Sequence, residues 1–387
     1  MSYISFINKE GQIERIAADG SQRTLLSQDL CKYQFPAWSP DGQAIAAVGR
    51  EGGDGVVVVL DLESDDSRIV YRSQHEPPFY LYWSPDSTSL TFLTNHEKGG
   101  LALHYADVAY GVSETLGLGQ PFFWVWHPTE KRILFHTGGG SMQSRIAFLE
   151  PMGGYEEPSL TSPGYFQTPG ISADGQYLAF ANMGARGQSQ VVVEHTGSRQ
   201  RIKRPHQGAA VMLWSPFANQ LAYISPSVAT DSFFGPLRLL DVASNREEVL
   251  VNEAVLSFFW SPNGRYIAYF TPIQQENAFR PITEGYAQGR VMSAGNGANQ
   301  IWLNLSIVDV FTGAKRLLTP FRPNSQFVNQ IIPFFDQYAL SHRFWSPKSD
   351  AILLPAIVND EDWLVTVPLN RFPPFPLALS RMGSWSY

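Results

Sequence analysis

The sequence predicts an all-β ring, a β-propeller of eight blades with four antiparallel strands in each. Three observations carry this reading. First, Trp-Ser-Pro recurs at Trp38, Trp83, Trp214, Trp260 and Trp345, with Trp126-His-Pro and Ile171-Ser-Ala-Asp-Gly as variants, at intervals of 45, 43, 45, 43, 46 and 85 residues. Second, an alternating apolar stretch follows each motif at a fixed offset. Third, the two ends of the chain complete one another's pattern. Four short strands every 40–45 residues are the mark of a propeller blade, because one small sheet cannot bury both faces except against its neighbours in a ring.

The strand after each motif is read from apolar pairs two residues apart, the period of a pleated strand. These pairs are Ile45/Ala47, Leu90/Phe92, Ile133/Phe135, Leu178/Phe180, Leu221/Tyr223, Ile267/Tyr269 and Ile352/Leu354. A further strand follows in most repeats, at 56–60, 145–149, 190–194, 237–240, 305–310 and 363–367. Beyond a polar or glycine turn comes another, as at 67–71 and 315–318. The strand that runs into each tryptophan makes four. Helical periodicity is weak throughout.

The chain ends Trp385-Ser-Tyr and begins Met-Ser-Tyr3-Ile-Ser-Phe, which together imitate Trp260-Ser-Pro-Asn-Gly-Arg-Tyr-Ile-Ala-Tyr. The C-terminal strand is therefore expected inside a blade whose other strands are N-terminal, at 3–8, 12–18 and 22–27. That closure leaves no open edge at the seam. A seven-bladed ring with 3–8 as an accessory strand is the alternative. The long interval is read as two insertions, about 272–300 and 321–338, in a single domain spanning 1–387. Both are expected to emerge on one rim.

In Ser-Pro-Asp-Gly, Pro presets φ, Asp suits the third turn position and Gly accepts positive φ. Asp41, Asp86 and Asp174 are thus turn formers rather than acids or ligands. The motif with its Ile-Ala-Phe type strand resembles the TolB-like propeller repeat, related to the propellers that precede the catalytic domain of dipeptidyl peptidase IV and prolyl oligopeptidases. Trp38-Ser-Pro-Asp-Gly42 and Trp260-Ser-Pro-Asn-Gly264 are the best copies; Trp126, Ile171, Trp214 and Trp345 depart from them. The resemblance implies the fold over nearly the whole chain. It does not imply a function, since this fold hosts scaffolds, carriers and enzymes. The family's periplasmic members begin with a signal sequence, which this N-terminus does not show, and its peptidases carry a further hydrolase domain.

Net charge is −7, from 28 Lys+Arg against 35 Asp+Glu, so no basic stripe of the size nucleic acid needs is present. The densest basic run, Arg199, Arg201, Lys203 and Arg204, is read as a solvated turn between outer strands. Cys31 is the single cysteine, which excludes disulfide scaffolds and cysteine-rich zinc sites. No apolar run approaches a membrane span, and the expected location is cytoplasmic.

Catalytic motifs are not found. His75-Glu76 and His96-Glu97 lack the second histidine of a zinc-protease helix. Ser293 lacks the glycine before a nucleophile elbow. Gly117 and Gly119 precede Gln-Pro-Phe, not a phosphate loop. Asp61, Glu63, Asp65 and Asp66 make half a calcium loop and are read as a solvated turn. His75, His96, His206 and His342 fall in connections of one rim, where some propeller lyases hold a metal, but no metal or other cofactor is assigned. Aromatic residues lead into the inner strands, at Phe79-Tyr80, Phe122-Phe123, Tyr165-Phe166 and Phe258-Phe259. The expected function is a non-enzymatic scaffold that binds a protein or peptide partner on the insertion-bearing rim. Its expected contacts are Phe79, Tyr80, Phe122, Phe123, Tyr165, Phe166, His342 and Arg343, with 272–300 as a lid. The alternative is a hydrolase or lyase acting on a sugar or small ester at the channel mouth, with or without a metal.

Overall fold

The computed structural model describes residues 2–138, 144–153, 155–184, 188–225, 234–273, 301–370 and 372–387. They form eight antiparallel sheets, each built from consecutive strands except the one that joins the chain ends. In that first blade Gly383–Trp385 is innermost, followed outward by Tyr3–Ile7, Ile13–Ala17 and Thr24–Leu25. Ile4 faces Trp385 and Phe6 faces Gly383 in the closing ladder. The eight-bladed reading and its seam therefore hold, and 3–7 is not an accessory strand.

The inner strands of the second to seventh blades are Lys32–Trp38, Pro78–Trp83, Phe122–Trp126, Gly170–Ile171, Val211–Trp214 and Ser257–Trp260. The eighth blade is a ladder of Ala351–Val358, Glu361–Pro368 and Phe375–Leu379. Its innermost place is filled by Phe344 and Trp345, the latter bridged to Ile352. Among the described residues no helix is long and apolar enough to cross a membrane.

The tryptophans make a repeated joint between blades. The indole Nε1 of Trp38 donates to the Ser384 carbonyl (3.2 Å), Trp83 to Ala37 (3.0 Å), Trp260 to Leu213 (3.2 Å) and Trp345 to Phe259 (3.0 Å). Each acceptor is the residue just before the motif position of the preceding blade. One side chain thus fills the interblade space and satisfies a main-chain carbonyl there.

The turns are as uniform. Ser39 Oγ donates to Asp41 Oδ1 (2.6 Å) and accepts from the Ala44 amide (2.9 Å), and Gly42 adopts φ +74°. Ser84–Asp86, Ser172–Asp174 and Ser261–Asn263 repeat the side-chain bond at 2.6–2.7 Å. Asp41, Asp86 and Asp174 are therefore turn formers, as their sequence context predicts.

The basic run lies at the outermost strand of the fifth blade, Arg201–Pro205, and its turn. Arg199 and Arg201 clamp the buried carboxylate of Glu194 at 2.8 and 2.5 Å. The acidic turn at 61–66 is an outer hairpin in which Asp61 Oδ1 accepts the Glu63 and Ser64 amides, both at 2.9 Å.

Candidate functional site

Antiparallel order puts every Trp-Ser-Pro turn on one rim, here the turn rim. The connections into the inner strands and those between second and third strands lie on the other, the insertion rim. The insertion between the second and third strands of the seventh blade falls at 274–300, outside the described residues. The second insertion, read as 321–338, is described in full. Instead of emerging from the rim it turns into the ring as a π-turn (Phe327–Ile331), a 3₁₀ turn (Ile332–Phe334) and a helix, α1 (Phe335–Ser341).

The expectation of strands and loops alone is corrected at this point. Phe327, Ile331, Phe335 and Tyr338 recur at spacings of four, four and three, which is a helical face, and all four are buried. The Phe335 ring packs on Phe258 (5.1 Å) and Phe259 (6.0 Å), and Phe327 on Phe270 (5.2 Å) and Phe344 (6.2 Å). The segment is a plug with a continuous buried apolar face.

Gln337 seats the plug on the fourth blade. Its Oε1 accepts the Trp124 amide (3.0 Å) and its Nε2 donates to the Trp124 carbonyl (2.9 Å). An inner strand has a free edge towards the axis. Here the side-chain amide pairs with that edge as a further strand would. Tyr80 of the third blade donates its hydroxyl to the Gln337 carbonyl (2.8 Å). The Thr168 hydroxyl donates to Gln337 Oε1 (3.3 Å), and the Thr168 amide to Asp336 Oδ2 (3.0 Å). Gln167 reaches the Pro333 carbonyl (2.9 Å). Asp336 is fully buried, and loss of solvent raises its carboxyl to about 6 against the pull of the amides it accepts.

The eight residues expected to meet a partner divide accordingly. Tyr80, Phe122, Phe123, Phe166 and His342 are buried. Tyr80 stands edge-on to Tyr338 (5.2 Å), and Phe123 packs against Phe334 (6.3 Å). Phe166 stacks on His136 at 4.0 Å, and burial takes that imidazole down to about 4. His342 sits between Phe35 and Tyr338, its Nδ1 2.7 Å from Ser341 Oγ; complete burial lowers it to about 3, so it is neutral. Phe79 and Arg343 are partly buried, and Tyr165 is 54% exposed.

The four rim histidines do not meet. His96 pairs with Glu76 (2.6 Å), His206 with Ser189 (2.7 Å), His342 is enclosed and His75 is exposed. Among the described residues no three His, Cys, Asp or Glu side chains gather as a metal site. Asp336 and Gln337 were not singled out by sequence reasoning. The spacing of the four buried aromatic and aliphatic residues around them is the signal that marks their segment as interior.

Comparison with known proteins matches no family model and no curated protein. Solved structures do match. A crystal structure of a eukaryotic initiation factor is 12% identical, with 99% of this chain and 98% of that one covered and a TM-score of 0.57. Dihydro-heme d1 dehydrogenase NirN in complex with DHE is 13% identical over 98% of this chain and 74% of that one, TM-score 0.57. TolB from Acinetobacter baumannii is 18% identical, TM-score 0.39, over 64% of this chain and 62% of the length of TolB. The likeness is one of fold. A dehydrogenase and an initiation factor share this fold, so function has to be argued from this chain's own surfaces.

Proposed function

We propose that the protein is a non-enzymatic scaffold that binds a protein or peptide partner on its insertion rim, in the cytoplasm. The observation that carries this reading is the plug. On the rim where a substrate would enter the channel, Phe335, Gln337 and Tyr338 already stand and are bonded to the blades. What that rim offers is a fixed, partly aromatic surface. Phe334 is 39% exposed on the plug, and Tyr165 lies two residues from Gln167, which ties the fifth blade to Pro333. Phe79 is partly buried on the inner strand of the third blade. In this reading Phe79, Tyr165 and Phe334 touch the partner. Tyr80, Phe123 and His342 act beneath them by contacting the plug, while Phe122 packs on Phe135 and Phe166 on His136 within the blades. A ring that holds its contacts rigid pays little ordering entropy on binding.

The test is affinity capture with the full chain, identification of the partner, and titration of that partner against Tyr165→Ala and Phe334→Ala. Both substitutions are at exposed positions, and each variant is expected to fold. A weakening of tenfold or more in either supports the surface; unchanged affinity in both removes it. Turnover of a sugar or ester by the purified chain would favour the enzyme reading instead.

A further inference from the structure

Below the plug, towards the turn rim, lies a cavity of about 350 Å³. Its existence has a cause in the repeat. The fifth blade carries Ile171 where other blades carry tryptophan, and its inner strand is only Gly170–Ile171. On the neighbouring blade the Trp214 ring lies against Gly170, where an added Cβ would come within 2.7 Å of it. The Trp214 Nε1 has no hydrogen-bond partner, unlike the four indoles that join their preceding blades. The size is that of a small-molecule site.

The lining is apolar and aromatic, including Met212, Trp214, Trp260 and Phe344, with α1 contributing Ala339 and Leu340. No lining residue is acidic. One is cationic: Arg343, set at the start of the eighth blade by two main-chain bonds, its amide to Ser384 Oγ (3.0 Å) and its carbonyl from the Trp385 amide (3.0 Å). The guanidinium lies 3.2 Å from the centre of the Tyr387 ring and is hydrogen-bonded to that residue. No ion pair joins it to a carboxylate among the described residues, whereas Arg199, Arg201, Arg265 and Arg322 all have one. Asp336, the nearby buried carboxyl, is turned to the amides of Thr168 and Gln337. A partly buried guanidinium that stacks on one tyrosine and has no carboxylate in ion-pair distance, in a residue that lines an aromatic cavity, can receive a planar anion. Its fork of donors matches a carboxylate, and its face stacks on rings.

We propose that this cavity binds a small aromatic carboxylate, with Arg343 pairing the carboxylate and Trp214, Trp260 and Phe344 enclosing the ring. The inference rests on the channel wall and not on partner binding at the opposite rim, so either can fail alone.

The experiment uses the full chain and three probes that share one ring, followed by calorimetry and ligand-observed saturation-transfer NMR. Indole-3-acetate carries the anion, tryptophol is its neutral counterpart and tryptamine carries a cation. The expected result is binding of indole-3-acetate at least roughly tenfold tighter than tryptophol, the size of one charge-assisted hydrogen bond, with tryptamine weakest. Arg343→Met is expected to abolish the preference for the acid while tryptophol binding stays. Ala339→Phe, which adds a ring into the empty space, is expected to block both. Equal affinity for acid and alcohol in the wild type, no binding of any probe, or an acid preference that survives Arg343→Met would each overturn the proposal. If Arg343→Met does not fold, the wild-type acid-to-alcohol ratio and the Ala339→Phe block decide it.

Discussion

Replacing Gln337 by leucine tests whether the plug is held by main-chain pairing or only by apolar packing. The two side chains are close in volume, so the substitution leaves no large void. What it removes is the pair of bonds to Trp124, at 3.0 and 2.9 Å, with the longer contacts of the amide to the Thr168 and Tyr80 hydroxyls, both 3.3 Å. Trp124 is completely buried, so its amide and carbonyl have no solvent to turn to. An unpaired buried polar group costs about 1–3 kcal/mol, so two of them cost about 2–6 kcal/mol. Leucine returns part of this by shedding the amide's own desolvation, which leaves a net loss of about 1–5 kcal/mol. Urea unfolding followed by tryptophan fluorescence reads the loss as a lower midpoint at unchanged slope. Limited proteolysis provides a second readout, with new cleavage within 321–341 of the native protein as the plug lifts. A loss under about 0.5 kcal/mol with no new cleavage would refute the argument, because it would mean that Phe327, Ile331 and Phe335 seat the segment unaided.

Four further outcomes follow from the same geometry. Asp336 keeps its proton to about pH 6 when folded and releases it near 3.8 when unfolded, so its contribution is fully present below pH 3.8 and is lost as pH rises through 6. Stability should fall by about 3 kcal/mol across that window, and Asp336→Asn should flatten the slope in unfolding curves taken at pH 4 and pH 7. Trp83→Phe removes the bond to Ala37 and should cost about 1–3 kcal/mol, with Trp83→Ala costing about 3–5 kcal/mol, both by urea midpoint. Gly42→Ala meets nothing within 4 Å and should cost only the left-handed backbone penalty of about 1 kcal/mol; Gly175→Ala adds an approach of 3.0 Å to the buried His127 ring and should cost more in the same thermal scan. Trp385→Ala empties the seam between first and last blades and should cost about 3–5 kcal/mol, with hydrogen exchange rising first in Tyr3–Ile7.

Much of the ring was legible because its determinants are local and repeated. Ser39 and Asp41 close their turn with atoms two to five residues apart, and the offset from Trp38 to Ile45 recurs in all seven repeats that are continuous in sequence. Eight copies of one pattern reveal a shared geometry that a single copy would not. The plug was not legible in the same way. Its four buried residues carry a helical spacing, but an 85-residue interval between motifs invites the reading of surface insertion, and the segment's partners lie more than 160 residues away at Gln167 and Thr168 and more than 200 away at Trp124 and Tyr80. The aromatic approaches to the inner strands were recognised as a set. Whether they face solvent or a buried segment depends on where that segment goes.

The amino-acid sequence by itself determined the blade and pointed to eight of them and to the seam, since strand period, turn chemistry and the complementary ends are properties of neighbouring residues; the ladder of Ile4 with Trp385 decided against seven. Only the tertiary structure decided that the channel is stopped from one side and hollow on the other. Gln337 finds the free edge at Trp124, and Arg343 is left without a carboxylate, only after all eight sheets have closed. Pairings of that kind depend on the angle at which each blade meets the axis, and that angle is set by the packing of the whole ring.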